Sequence, residues 1–268
     1  MTSIKAKKRF GQHFLHDKNI LQKMVMAISP KKNDALIEIG PGLGALTTLL
    51  RPTVETLQAI EIDRDLIQQL KIKFLDDKNF ILHESDVLKF NFSTLYQQQK
   101  LRIVGNLPYN ISTPLIFHLF NSLEIIEDMY FLLQKEVVER LTAVPGSKQY
   151  GRRSIMSQYF CINEKLFPVG PNCFSPPPQV DSLFMRLLPR RDISPPAKNF
   201  GHFSNVVQQA FSMRRKTIAN ALKKYVTPTQ LQQLNINPQS RPEQLSINDF
   251  VLISNLTADS LSLNDITP

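Results

Sequence analysis

After residue 34 the hydrophobic pattern of this chain changes period, and the change leaves few architectures open. Residues 19–28, NILQKMVMAI, put Ile20, Leu21, Met24, Val25 and Ile28 on one helical face. Short apolar runs then take over: ALIEIG (35–40), TLQAIEI (56–62), FILH (80–83), LRIVG (101–105) and MYFLLQ (129–134), separated by helical or loop segments. Strands covered on both faces read as continuous apolar runs, and their alternation with helices implies βαβ units and a mostly parallel sheet. KEVVERLTAV (135–144) and GRRSIMSQYF (151–160) read as helices, followed by KLFPVG (165–170) and DSLFMRLLP (181–189) as two closing strands in a hairpin-like sheet edge.

The stretch PRRDISPPAKN (189–199) is the best linker, because adjacent prolines resist helix and remove ladder donors. Beyond it FSNVVQQAF, KTIANALKKY, PTQLQQL and SINDFVLISNLT read as helices, with Pro228 and Ser246 as start signals. The expectation is an α/β domain over 1–189, whose first 16 residues form a basic arm, a linker over 190–198 and a small all-helical domain over 199–268. At 268 residues and 42% hydrophobic the chain can bury such a core without staples. Cys161 and Cys173 lack the number and spacing of a zinc site or disulfide framework and read as buried small hydrophobes. No apolar run approaches a membrane span, and the start MTSIKAKKRFGQHFL lacks the apolar core of a secretion signal, so a soluble protein in a reducing cytoplasm is expected.

The turn after the first strand of the sheet reads EIGPGLGAL. Gly40, Gly42 and Gly44 permit positive φ and close backbone approach at the start of a helix, the geometry for a ligand resting on the main chain. Gly40, Gly42 and Ala45 loosely satisfy a dinucleotide fingerprint. Glu61 follows Gly40 by 21 positions, where a carboxylate accepts from both ribose hydroxyls of a nucleoside. That spacing suits NAD and S-adenosylmethionine equally. Glu38 tilts the choice, since negative charge there repels a pyrophosphate and suits an ammonium and a sulfonium. Asp86, in HESDVLKF, is placed either to accept from an adenine amino group or to close a loop.

The fourth strand ends in GNLPYNISTP (105–114). Ligands in doubly wound sheets sit at strand C-terminal ends, so Asn106, Leu107, Pro108 and Tyr109 face the same crevice as the glycine turn. An exocyclic adenine amine is a poor nucleophile because its lone pair is delocalised into the ring. The Asn106 side-chain oxygen and the Leu107 carbonyl can accept its two N–H bonds and tilt the lone pair toward a methyl donor. Pro108 stiffens the chain, and Tyr109 offers a face for the base. The same residues also suit a turn into a helix capped by Ser112 or Thr113, with Pro114 in its first turn.

The net charge of +9 is concentrated in two segments. Residues 1–16 hold Lys5, Lys7, Lys8 and Arg9 with no acid, and residues 206–225 hold Arg214, Arg215, Lys216, Lys223 and Lys224 with none. Interleaved with Phe10, Phe14, Phe211 and Tyr225, they suit a polyanion whose phosphates meet cations and whose bases stack; a solvated helix face with a basic tail is the other reading. The five histidines, His13, His16, His83, His118 and His202, lack ligand spacing, and no metal is expected.

KKRFGQHFL, EIGPGLGALT, EID, SDVL, GNLPYNISTPL, LQKEVVERL, FSPPPQVDS and RRKTIANAL follow one another over most of the chain. In that order they resemble the small-subunit ribosomal RNA adenine N6-dimethyltransferases, most closely the bacterial KsgA group. The resemblance implies a class I S-adenosylmethionine-dependent methyltransferase (Rossmann-like) sheet with a small all-helical C-terminal domain. It implies transfer of methyl groups from S-adenosylmethionine to N6 of two adjacent adenosines in the 3′-terminal hairpin of 16S rRNA, giving N6,N6-dimethyladenosines and S-adenosylhomocysteine. The partner implied is the precursor of the 30S small subunit, with a role in its biogenesis.

Carried over residue by residue, the resemblance places cofactor contacts at His13, Leu15, Gly40, Glu61, Asp86 and Asn106, with Gly42 beside them. The family often has Asn where this chain has His13, which leaves a backbone contact there. Asn106 to Tyr109 match the amine-binding motif, and Phe174 matches an aromatic that closes on the flipped base opposite Tyr109, although read without the resemblance it is an ordinary core residue before a Pro-rich loop. Lys7, Lys8, Arg9, Arg214, Arg215, Lys216 and Lys223 are the RNA contacts expected. Three other functions compete for the same features: a large-subunit adenine dimethyltransferase conferring antibiotic resistance, a non-catalytic ribosome assembly factor, and a NAD-dependent oxidoreductase. Nothing in the sequence demands more than a monomer.

Overall fold

A computed structural model describes residue 7 and residues 11–264, with side chains to residue 258. The basic residues Lys5, Lys8 and Arg9 and the ring of Phe10 lie outside the described residues. In chain order the first elements are β1 (Phe14–Leu15), α1 (Lys18–Ile28), β2 (Ala35–Ile39), α2 (Ala45–Leu50), β3 (Leu57–Glu61), α3 (Arg64–Lys73), β4 (Phe80–Glu84), β5 (Leu101–Asn106) and α4 (Ser112–Leu119). They are followed by β6 (Ile126–Gln134), α5 (Lys135–Leu141), α6 (Arg152–Phe160), β7 (Cys161–Val169), β8 (Phe174–Ser175) and β9 (Ser182–Pro189). Among the described residues four α-helices follow: α7 (Phe200–Ser212), α8 (Ile218–Ala221), α9 (Pro228–Gln233) and α10 (Ile247–Asn264).

By its contacts the chain forms two compact units, Met1–Val138 with Ile162–Pro189, and Glu139–Cys161 with Arg190–Pro268. The first holds a seven-stranded sheet in the order β4-β3-β2-β5-β6-β9-β7. The expected parallel body is present: β2 pairs in parallel with β3 and β5, and β3 with β4 and β5 with β6 likewise. Strand β9 runs antiparallel to β6 and separates it from β7, so the two closing strands do form the sheet edge.

The apolar runs are strands because their side chains are covered. Leu36, Ile37, Ile39, Leu57, Ala59, Leu101, Ile103 and Val104 are all buried. Helix α1 starts where the Asp17 carboxylate accepts from the Asn19 and Ile20 amides, and it ends at Ser29 in left-handed geometry. Its buried face, Leu21, Met24 and Ile28, packs with Leu46 and Leu50 of α2 over Leu36, Val104 and Leu132. Strands β2 and β5 meet too closely for a side chain at Gly105, where a Cβ would lie 2.6 Å from the Ile39 carbonyl oxygen. That approach draws the NLPY segment against the glycine turn.

The second unit departs from the sequence expectation at its N-terminal side. Residues 139–161, expected within the α/β domain, group with the C-terminal helices; α6 packs on α7 and α10, and the buried Tyr150 hydroxyl donates to the Leu245 carbonyl at 3.0 Å. The chain leaves the sheet after β6, contributes a helical excursion, and returns for β7. Helical periodicity marks a buried face but not the core that receives it. The expected linker is likewise tied down: the Ala197 amide donates to Tyr159, the Lys198 amide to Asn255, and the Asn255 side chain to the Pro196 carbonyl.

Pro228 opens α9, with Thr227 and Gln230 in a reciprocal cap, and Ser246 and Asp249 form the same arrangement before α10. The helix expected over 216–225 shrinks to α8, because Met213 to Lys216 form a turn closed by the Lys216 amide on the Met213 carbonyl at 2.8 Å. Ser112 and Thr113 do not cap α4: its cap residue is Ile111, and the Ser112 hydroxyl donates backward to the Tyr109 carbonyl at 3.1 Å.

Candidate active site

The C-terminal ends of β2, β3 and β5, the turn after β4 and the segment entering β1 surround one cavity of about 270 Å³. His13, Leu15, Gly40, Gly42, Glu61, Asp86, Asn106, Leu107, Pro108 and Tyr109 all line it. The positions expected from the turn, the acidic strand ends and NLPY therefore converge on one space.

Gly40 has φ of +65° and nothing within 4 Å of where its Cβ would stand, so the main chain there is open to a ligand. Gly42, at φ +59°, donates its amide to Glu61 Oε2 at 3.3 Å. Glu61 Oε1 accepts from the Ile62 and Asp63 amides at 2.9 and 3.0 Å. Burial raises the Glu61 pKa, and these three backbone donors work against the rise. The carboxylate is thus locked in one orientation with lone pairs left for a diol.

Glu38 is 2% exposed, and burial, with a smaller push from the Glu61 charge, drives its pKa up to about 7 against the opposing effects of the Thr47 hydroxyl and the Lys73 ammonium. The Thr47 hydroxyl is close enough to act on this carboxylate, but among the described residues neither that hydroxyl nor Glu38 Oε2 reaches hydrogen-bond geometry with any partner. A buried, unpartnered carboxylate oxygen beside an open glycine turn fits the ammonium of S-adenosylmethionine, and a nicotinamide cofactor's pyrophosphate has no counterpart for it. Asp86 Oδ1 accepts from the Leu88 amide at 3.0 Å, so the residue closes its loop and still borders the cavity.

Asn106 donates through Nδ2 to the His13 carbonyl at 3.0 Å, which fixes which end of the amide is the acceptor. In the following turn the Pro108 carbonyl accepts from Ile111 and the Tyr109 carbonyl from Ser112, whereas the Leu107 carbonyl accepts nothing among the described residues. The two acceptors left over are the side-chain oxygen of Asn106 and the main-chain oxygen of Leu107. The Tyr109 hydroxyl shares a 2.9 Å hydrogen bond with Ser182, its ring lies 5.3 Å from the His13 ring, and burial raises its pKa. The His13 ring in turn bonds through Nδ1 to the Pro176 carbonyl at 2.8 Å.

A family model described as ribosomal RNA adenine dimethylase matches residues 3–259. The chain belongs to that family. It is 55% identical over 256 residues, 96% of this chain and 99% of the relative, to the ribosomal RNA small subunit methyltransferase A of Coxiella burnetii (strain RSA 493 / Nine Mile phase I). Among solved structures, a dimethyladenosine transferase from Plasmodium falciparum superposes with a TM-score of 0.79 at 28% identity, covering 94% of this chain and 98% of that one. The 23S rRNA methyltransferase ErmE shares the fold at a TM-score of 0.73 and 21% identity, over 91% and 99% of the two chains. The expected class I methyltransferase sheet with C-terminal helices is therefore present.

Other expected site residues of this adenine dimethylase fall elsewhere. Phe174 does not line the cavity: it is 3% exposed, pairs with Leu15 between β8 and β1, and packs in the core cluster with Leu21, Met24 and Phe184. In this arrangement Leu15 stands on the cavity wall and the ring opposite Tyr109 is His13. Lys7, expected on RNA, sits between Asp63 and Asp65 at 2.5 and 2.6 Å. Arg214 is bonded to Glu243 and to the Lys148 carbonyl, while Arg215, Lys216 and Lys223 are exposed. Lys8 and Arg9 lie outside the described residues.

Sequence reasoning missed Gln12, Asp63 and Ser182. Gln12 Nε2 donates to Asp63 at 2.9 Å beside Lys7, tying the N-terminal arm to the chain two residues past the end of β3. Burial works to raise the Asp63 pKa, but the bonds from Lys7, Gln12 and the Asp65 amide hold it below the usual carboxylate range. The run EID hinted at Asp63, but no local signal names its partners, 51 and 56 positions away. Among the described residues no group of three or more His, Cys, Asp or Glu has a metal-holding arrangement, and no helix is long and apolar enough to cross a membrane.

Proposed function

We propose that this adenine dimethylase binds S-adenosylmethionine in the cavity and methylates N6 of two adjacent adenosines near the 3′ end of 16S rRNA, in the small subunit or its precursor. When bound, S-adenosylmethionine supplies a methyl group on a sulfonium whose departure leaves a neutral thioether. Glu38 holds the ammonium, Glu61 the ribose hydroxyls and Asp86 the adenine amine of that group, with Gly40, Gly42, Leu15 and the main chain of His13 against it.

Asn106 Oδ1 and the Leu107 carbonyl accept the two N–H bonds of the target amine, and Pro108 stiffens the turn that presents them. Tyr109 stacks on the flipped base. With the lone pair aimed and the site dry, alignment supplies most of the barrier reduction. No strong base is needed, because the amine's proton becomes acidic once nitrogen carries the new methyl, and it leaves to water.

The observation that carries this reading is the pair of unclaimed acceptors at Asn106 and Leu107 in the same cavity as the unpartnered Glu38 oxygen. The choice of the small subunit rests on relatives at 55% identity named for it, whereas the likeness to the large-subunit enzyme extends to the fold. Arg215, Lys216 and Lys223 are offered as phosphate contacts; the second unit carries thirteen Lys and Arg against six Asp and Glu, and holding an immature subunit would use the same charge. A monomer suffices, since every residue invoked comes from one chain, and a ribosomal substrate implies the cytoplasm.

The test is incubation with labelled S-adenosylmethionine and unmethylated small subunits, followed by nucleoside analysis. Labelled N6,N6-dimethyladenosine at the paired 3′ adenosines is the expected product. Label confined to large-subunit RNA would overturn the substrate assignment.

A further inference from the structure

Tyr109 is the base platform in the proposed mechanism, and a stacking ring works only at a fixed angle. A tyrosine side chain can swing about its two side-chain torsions unless its far end is anchored. Here the far end is anchored: the Tyr109 hydroxyl meets Ser182 Oγ at 2.9 Å. Ser182 itself sits at a buried, paired strand end. It is 1% exposed and begins β9, paired opposite Gln134 at the end of β6, and the adjoining Lys135 amide donates to the Asp181 carbonyl at 2.9 Å.

Each methyl transfer changes what the amine offers. The nitrogen lone pair forms a bond to the methyl carbon, the carbon–sulfur bond breaks with its electrons going to sulfur, and one N–H proton leaves to water. An unmethylated amine has two N–H bonds for Asn106 Oδ1 and Leu107 O; a monomethylated amine has one. The second transfer therefore loses half of the polar grip, and the stacked ring must hold the base where two hydrogen bonds held it before.

We infer that Ser182 is a positioning residue that fixes the Tyr109 ring for the second methyl transfer, so that the 2.9 Å Ser182–Tyr109 bond sets the balance between monomethylated and dimethylated product. This rests on the proposed adenine N6 chemistry. The competing explanation is that two polar groups merely satisfy each other in the interior. The two differ in what their loss does: a structural bond costs stability and slows nothing selectively, whereas a positioning bond slows one step of two.

The test is single-turnover methylation of unmethylated small subunits by wild type, Ser182→Ala, Tyr109→Phe and the double variant, with both nucleoside products followed over time and S-adenosylmethionine affinity measured separately. Tyr109→Phe removes the same bond from the other side and carries the test should Ser182→Ala fold poorly. One hydrogen bond missing at the transition state predicts a second transfer slowed about tenfold relative to the first, with monomethyladenosine accumulating. The double variant should be no slower than Tyr109→Phe, and cofactor affinity should stay at the wild-type value. Equal slowing of both transfers, an unchanged product ratio, or additive effects in the double variant would overturn the inference. Absence of dimethyladenosine from the wild-type reaction would instead overturn the proposed function beneath it.

Discussion

The side-chain amide nitrogen of Asn106 donates to the main-chain carbonyl of His13 at 3.0 Å, so a residue of the N-terminal arm decides which atom of that side chain is left as an acceptor. A carbonyl can only accept, and Nδ2 is the only donor on the Asn106 side chain. The oxygen is thereby left to accept, in the proposed mechanism from the exocyclic amine.

Replacement of Asn106 by Ala is expected to lower kcat at least about 100-fold, the scale of a misaligned reacting group, while binding of the protein to small subunits stays intact. Labelled-methyl incorporation and subunit co-sedimentation read the two properties separately. Incorporation that persists in Asn106→Ala removes the residue from the mechanism.

Glu38 gives a pH signature. Its pKa rises from 4.5 to about 7 in the folded protein, so the fold binds its proton more tightly than the unfolded chain does. The stability this contributes is fully present below pH 4.5 and is lost as pH rises through about 7. Glu38→Gln, which cannot ionise, should therefore match wild type near pH 5 and exceed it at pH 8 by up to about 3 kcal/mol in the cofactor-free protein. Cofactor affinity should show the opposite ordering: wild type tightens as pH rises past about 7 and the variant binds weakly throughout. Thermal melts and isothermal titration at the two pH values decide the matter; a Glu38→Gln protein that melts with wild type at pH 8 contradicts the assignment.

Gly105→Ala should destabilise the protein by about 1–3 kcal/mol, the usual cost of overpacking. The new methyl meets a backbone atom, the Ile39 carbonyl oxygen 2.6 Å away, so relief requires the ends of β2 and β5 to part. Because those ends carry the glycine turn and Asn106, cofactor affinity should fall along with the melting temperature. A variant that loses stability but binds the cofactor as wild type does would show that the strand contact does not set the site.

Reversing the charge of Arg215 and Lys216 should weaken RNA binding and flatten its salt dependence by about one in log–log slope for each phosphate no longer neutralised. Arg214→Ala should behave differently. That guanidinium is already engaged by Glu243 and the Lys148 carbonyl, so its removal should lower the melting temperature more than the salt slope. Filter binding across a salt series distinguishes the two; an unchanged slope in the Arg215 and Lys216 variants makes them a solvated face.

What could be read in the sequence was whatever a strand end displays locally. The parallel sheet followed from runs such as ALIEIG and LRIVG, and the cavity residues Gly40, Glu61, Asp86 and Asn106 followed because each sits where such a run stops. Distant pairings stayed hidden: nothing near Tyr109 announces Ser182, 73 positions on, and nothing near Lys7 announces Asp63, 56 positions on. Burial was hidden as well. Glu38 reads as a charge beside a loop, yet only the packed structure reveals a buried carboxylate with one unpartnered oxygen; Phe174, which the family resemblance alone set over the base, is held in the core by the pairing of β8 with β1, the place its own surroundings in the sequence favour.

A crystal structure of the protein with S-adenosylhomocysteine and an adenosine substrate analogue tests the central claim directly. The target N6 is expected within about 3 Å of both Asn106 Oδ1 and the Leu107 carbonyl oxygen, ordinary hydrogen-bond distances, with the base stacked on Tyr109 and the thioether sulfur in line behind the nitrogen. An adenine bound elsewhere, or one whose N6 points away from Asn106 while Tyr109 stays packed without it, would contradict the proposed chemistry.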